Sequence, residues 1–95
     1  MAFAAAIDLH GDTKELLGRY EVAAQEIVAA GGQRGLLAHY CLETDDGIRV
    51  MNIYETEEEV HAAYDRPAFQ QALKDAGFVA SAPTIMPVHN YRQFR

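Results

Sequence analysis

The chain has 95 residues and a formal net charge of −6, from 8 Lys and Arg against 14 Asp and Glu. That length sets a single domain with a thin margin of burial, which assembly with a second copy would widen, and 49% apolar against 23% charged residues excludes a disordered chain. The acidic balance argues against nucleic acid and against an anionic membrane surface as partners.

Residues 2–9 alternate, with Phe3, Ala5, Ile7 and Leu9 on one side and Ala2, Ala4, Ala6 and Asp8 on the other. Period 2 predicts a strand. Asp8 and the lack of a cationic leader keep this apolar start from reading as a signal peptide. Asp12-Thr13-Lys14-Glu15 has the form of a capping box. Leu16, Leu17, Tyr20, Ala23, Ala24, Ile27 and Val28 then recur at helical spacing, an amphipathic helix of about five turns that Gly31-Gly32 ends. A second strand runs from Gly35 to Glu43, with Leu36, Ala38, Tyr40 and Leu42 on one face and Leu37, His39, Cys41 and Glu43 on the other. Thr44-Asp45-Asp46-Gly47 predicts a tight hairpin into a third strand, Ile48 to Tyr54. Thr56-Glu57-Glu58-Glu59 is a second capping box, its carboxylates a solvated helix start, and Val60, Tyr64 and Leu73 form the stripe of the helix it opens. Pro67 interrupts that helix, so a kink or restart falls at Asp65-Arg66-Pro67, with a short segment from Ala68 to Ala76 closed by Gly77. Residues 80–83 read as a loop, and Thr84 to Phe94 as the last strand, in which Pro87 demands an edge position or a bulge.

The order β-α-β-β-α-β is the α+β, ferredoxin-like arrangement: an antiparallel sheet in spatial order 4-1-3-2 with both helices on one face. Both faces of the first two strands carry apolar or small side chains. A sheet apolar on both sides needs a second cover, and the simplest is an identical sheet, giving a homodimer closed into an α/β barrel. No run nears the ~20 apolar residues of a membrane helix, and one cysteine leaves no disulfide framework and no Cys-rich zinc site. A cytoplasmic protein is the expectation.

The stretch from Tyr54 to Phe69, YETEEEVHAAYDRPAF, resembles the antibiotic-biosynthesis monooxygenase family of dimeric α/β barrels. In that family's pattern the third strand ends in an aromatic, commonly Trp. A Glu- or Ser-rich helix start follows, then an aromatic or His one turn before a Pro-x-Phe-like element. Here Tyr54 takes the aromatic place, Val60 the helix anchor, and Pro67 and Phe69 the Pro-x-Phe element. The chain departs from the pattern in having Tyr54 for Trp, and Ala63 or Tyr64 where a His often precedes that element. The haem-degrading branch uses a late histidine in the second helix and an asparagine in the first strand. The matching places hold Leu73 and Ile7 or Asp8, so haem chemistry is not expected.

An even-length hairpin turn would place His39 and Cys41 on the same face as Asn52 and Tyr54. Polar groups on an apolar sheet need partners. They form either a substrate pocket or a mutually satisfied cluster at the dimer interface. In a pocket, His39 is the base, since an ordinary imidazole titrates near ~6.5, and Asn52 and Tyr54 orient a phenolic or enolic oxygen. His61 and Tyr64, three apart on a helix, could line a cavity mouth, or be solvated and packed in the core respectively. His89 and Tyr91 alternate on one side of the last strand, where they fit a partner contact. Cys41, without a resolving partner, reads as a small hydrophobe. The four histidines are too scattered for a preformed metal site, and Gly31-Gly32 with Gly35 follow a helix rather than open one, so they are no phosphate loop.

The resemblance implies a cofactor-independent monooxygenase acting on a small aromatic or polyketide-like phenol or hydroquinone, in which the deprotonated substrate itself reacts with dioxygen. His39, Asn52 and Tyr54 would carry the chemistry, and Tyr64 and His61 would line the site. Two alternatives stay open: a non-redox cyclase or isomerase on a similar substrate, and a non-catalytic small-molecule-binding or stress-associated dimer.

Overall fold

The computed structural model describes residues 1–31, 34–78, 83–90 and 92. Its elements are β1 (Phe3–His10), α1 (Thr13–Ala29), β2 (Leu36–Thr44), β3 (Gly47–Tyr54), α2 (Glu57–Tyr64), α3 (Pro67–Asp75) and β4 (Thr84–Pro87). The strands form one antiparallel sheet in the order β2-β3-β1-β4, the predicted ferredoxin-like topology. No helix among the described residues is long and apolar enough to cross a membrane.

Each helix begins where its chemistry dictates. The Asp12 carboxylate accepts the Glu15 N–H at 3.0 Å, and the Thr56 hydroxyl accepts the Glu59 N–H at 3.1 Å. The reciprocal half of each capping box is not made. Glu15 instead accepts from Arg19 one turn on, and the Glu59 Oε2 is buried with no hydrogen-bond partner. At Pro67 the chain restarts rather than kinks: α2 ends with Asp65 as its C-cap, and α3 begins with proline in its first turn, where the missing N–H costs nothing. Gly31 and Gly77, both at φ +78°, follow the ends of α1 and α3.

Paired residues in an antiparallel sheet share a face. The helix-facing side carries Ala5, Ile7 and Tyr54, which pack against Val60, Ala63 and Tyr64 of α2 to form the core. The open side carries Ala4, Ala6, Met51 and Ile53 with Tyr40, Leu42 and Met86, of which the last three are 41%, 44% and 43% exposed. One charged pair interrupts it: Asp8 and Arg49, opposite each other on β1 and β3, make two hydrogen bonds of 2.6 and 3.2 Å. The Arg49 guanidinium holds the Asp8 carboxyl below its ordinary range.

Three expectations change. The register shifts between Leu36 and Ala38, so Leu36 pairs with Tyr54 and lies on the helix-facing side, opposite to the predicted face. The last strand stops at Pro87 instead of running to Phe94, and just beyond it the Val88 N–H donates to the Ala2 carbonyl at 2.8 Å. β4 is an edge strand, as Pro87 requires. His89 is therefore exposed beyond the strand rather than on it. Gly32, residues 80–82, Tyr91 and Phe94 lie outside the described residues.

Candidate active site

The interior is not filled. A cavity of about 330 Å³ lies between the helix-facing side of the sheet and the three helices, walled chiefly by Ile7, Ala23, Ile27, Val50, Phe69 and Leu73. The size is that of a small-ligand site, and such sites owe orientation to a few polar groups in an apolar wall. Here those groups are Tyr20, His39, Asn52, Tyr54, Tyr64 and Arg66.

The hairpin assembles the centre. Thr44 pairs with Gly47 across a two-residue turn, Asp45-Asp46, so the even register holds and His39 stands directly opposite Asn52. His39 Nδ1 lies 2.5 Å from Asn52 Oδ1, and Asn52 Nδ2 donates to the Tyr64 hydroxyl at 3.1 Å. The Tyr20 hydroxyl bonds to His39 Nε2, and the two rings stack with planes 4° apart. These contacts fix the direction of the protons. Because Asn52 uses its N–H₂ on Tyr64, its oxygen accepts from His39, so Nδ1 carries the imidazole proton. Nε2 is then the basic nitrogen and accepts from Tyr20. The chain runs Tyr20 to His39 to Asn52 to Tyr64, and the Tyr64 proton is left to donate. It links a solvent-exposed histidine to Asn52 and Tyr64, which are only 6% and 7% exposed.

Tyr64 is held from behind. Phe69 meets its ring edge-on at 4.7 Å, and Gln70 Nε2 donates to its backbone carbonyl at 2.5 Å, tying the start of α3 to the end of α2. Tyr64 thus serves both as core and as cavity wall. Tyr54, 3% exposed, lines the same space, and its hydroxyl has no hydrogen-bond partner among the described residues.

Burial keeps these phenols neutral. It pushes the Tyr54 hydroxyl up to about 12, with Tyr64 and Glu59 adding to the effect and Arg66 opposing it. Burial also raises Tyr64 above the ordinary tyrosine value, against the pull of the Asn52 N–H, and it raises Tyr20 with help from Cys41 and Glu21. Near neutral pH all three are O–H donors. A folded-state value above the unfolded one gives stability that is fully present below pH ~10 and lost as pH rises through about 12 for Tyr54. The thermal midpoint of the wild type should fall between pH 10 and 12 alongside late tyrosinate absorbance, and Tyr54→Phe should lose part of both. A tyrosinate curve complete near pH 10 would contradict this.

Of the residues singled out from sequence, His39, Asn52, Tyr54 and Tyr64 converge on the cavity, on the helix-facing side of the sheet and away from its open face. His61 does not join them. It lies on the exposed side of α2, with Nε2 3.4 Å from Glu57 one turn back, and is not among the cavity's lining residues. Cys41 shares the His39 face and is half-buried, and burial raises its thiol. Tyr20 and Arg66 are cavity residues that sequence reasoning missed. A phenol in an apolar helical stripe was the available sign for Tyr20, since a buried hydroxyl needs a partner. Among the described residues no group of three or more His, Cys, Asp or Glu side chains is placed to hold a metal ion.

No family model and no curated protein matches the chain. Solved structures do. One from Chloroflexus aurantiacus J-10-fl, named as a candidate antibiotic biosynthesis monooxygenase, aligns with a TM-score of 0.66 at 14% identity over 97% of this chain and 98% of that one. Another candidate of the same name, from Deinococcus radiodurans, aligns at 0.66 and 14% over 100% and 99%. SnoaB, a cofactor-independent oxygenase from Streptomyces nogalater, aligns at 0.64 and 15% over 95% and 93%. What is shared at these identities is the fold, that of the antibiotic biosynthesis monooxygenase structures.

Proposed function

We propose that this protein is a cofactor-independent monooxygenase that oxidises a small phenol, aromatic or polyketide-like, held in the cavity between sheet and helices. The observation that carries the reading is the hydrogen-bonded chain from exposed His39 to buried Tyr64 along an otherwise apolar space. The fold shared with SnoaB supports it.

The residues divide the work. A substrate hydroxyl beside Tyr20 passes its proton to the Tyr20 oxygen while Tyr20 hands its own to His39 Nε2. The imidazolium keeps its other proton on Asn52 and, being exposed, releases the new one to water. Tyr54 and Tyr64, both neutral donors, hold the phenolate oxygen. The electron-rich ring carbon para to that oxygen then bonds to dioxygen. Loss of water from the resulting hydroperoxide breaks the O–O bond and leaves a quinone. One phenol and one dioxygen give one quinone and one water, so the substrate supplies all the electrons. The apolar walls keep bulk water from the intermediate.

An oxygen electrode tests this with 1,5-dihydroxynaphthalene as the probe. Oxygen uptake equal to quinone formed, abolished in His39→Ala, is the expected result. Conversion of the probe without oxygen uptake would favour the cyclase or isomerase reading, and cavity binding with no conversion the binding module.

The working unit in this reading is a homodimer. Tyr40, Leu42 and Met86 are apolar, exposed and on one face, and a second copy's sheet is their natural cover. Sedimentation should give twice the 10.5 kDa chain mass for the wild type and the single mass for the double variant Tyr40→Glu/Leu42→Glu. A monomeric wild type at micromolar concentration would end the dimer reading.

A further inference from the structure

We infer that the cavity's ligand is an acid: Arg66 is an anion anchor that selects a carboxylate-bearing phenol over its neutral analogue. This rests on the cavity being the substrate site and adds the substrate's charge class to that reading.

Arg66 sits in the connection between α2 and α3, is half-buried and lines the cavity. Its backbone is committed, since its carbonyl accepts the Gln70 N–H at 3.1 Å, but its guanidinium is not. Among the described residues it makes no ion pair and no side-chain hydrogen bond, although the chain carries six more negative than positive charges. Arg19 and Arg49, by contrast, spend their charge on Glu15 and Asp8. An unpartnered cation against an apolar wall calls for an anion. Its charge acts on the Tyr54 hydroxyl, favouring the ionised form, and both residues line the cavity. Glu59, which acts on Tyr54 in the opposite sense, is not within ion-pair distance of Arg66, and its buried Oε2 packs beside Gly35.

Among the described residues the cavity therefore offers three donors without an acceptor: the Arg66 guanidinium, the Tyr54 hydroxyl and the remaining Tyr64 proton. A guanidinium presents a planar fork that matches a carboxylate, whereas a phenolic oxygen satisfies only a hydroxyl donor. A ligand with a carboxylate at Arg66 and a phenol toward Tyr54, Tyr64 and Tyr20 pairs every one of them.

Fluorescence titration of 6-hydroxy-2-naphthoate against 2-naphthol tests this in the wild type, Arg66→Met and Arg66→Lys. The methionine keeps an apolar stem and removes the charge; the lysine restores charge without the fork. The wild type should bind the acid about tenfold or more tightly than the neutral phenol. Arg66→Met should erase that preference while leaving 2-naphthol affinity within about twofold, and Arg66→Lys should recover part of it. Equal binding of the two probes by the wild type, or a preference that survives in Arg66→Met, overturns the inference and leaves the cavity reading standing. Binding of neither probe by the wild type overturns both.

Discussion

Asn52→Ala is expected to lower oxygen-dependent turnover about 100-fold or more and to cost about 1–3 kcal/mol of stability. Asn52 is the only buried polar residue of the described sheet, and both ends of its amide are used. Its oxygen keeps the imidazole proton on Nδ1, which leaves Nε2 basic toward Tyr20, and its N–H₂ holds the Tyr64 oxygen so that the remaining proton is free to donate. Alanine frees the ring to turn and leaves Tyr64 short of a donor in a buried place. Because His39 and Asn52 act as one unit, the double variant His39→Ala/Asn52→Ala should be no slower than the worse single variant. Multiplying losses would show that the two act independently. An Asn52→Ala protein with wild-type turnover would place the chemistry elsewhere.

Gly47→Ala should have the largest effect on stability, about 3 kcal/mol or more, or roughly 12 °C and upward in thermal midpoint for a domain of this size. A Cβ at Gly47 would stand 1.9 Å from the Leu9 carbonyl oxygen, a backbone atom with nowhere to go. The same corner is knotted by further bonds. The Gly11 N–H donates to the Asp46 carbonyl at 2.8 Å, and the Thr13 hydroxyl reaches the carbonyls of Thr44 at 3.3 Å and Gly47 at 3.2 Å. Relief of the clash must move β1 against the β2–β3 hairpin whose register sets His39 opposite Asn52, so activity should fall with stability. Gly18→Ala is the contrast. Nothing lies within 4 Å of its Cβ and it is interior to α1, so it should stabilise by about 0.5–1 kcal/mol. Calorimetry of the two variants checks both signs.

The fold was legible because its signals are local and strong. The hairpin needs only an even turn, and Thr44-Asp45-Asp46-Gly47 supplies one. The restart at Pro67 follows from a missing N–H and a ring clash. What stayed hidden depends on contacts far apart in sequence. Gly47 reads as a turn residue, yet the turn is Asp45-Asp46 and the glycine serves the approach of Leu9. An extra residue at Leu37 leaves no trace in an alternating pattern, so alternation alone puts Leu36 on the wrong face. In the site, His39, Asn52, Tyr54 and Tyr64 stood out as polar or aromatic groups on apolar faces. Tyr20 did not, because at helical spacing a phenol that bonds a histidine looks like one that packs. Arg66 is masked by its neighbour: beside Pro67 it marks an interruption, and only the folded chain brings it to the wall of a cavity.

If substrate and dioxygen meet in this cavity with no other redox partner, the substrate alone supplies the electrons. Turnover of 1,5-dihydroxynaphthalene under ¹⁸O₂ by chelator-treated protein, read by mass spectrometry, tests it most directly. One labelled oxygen in the quinone and one in water, at a rate that collapses in His39→Ala, is the expected result. Unlabelled product, or equal conversion under argon, would contradict it.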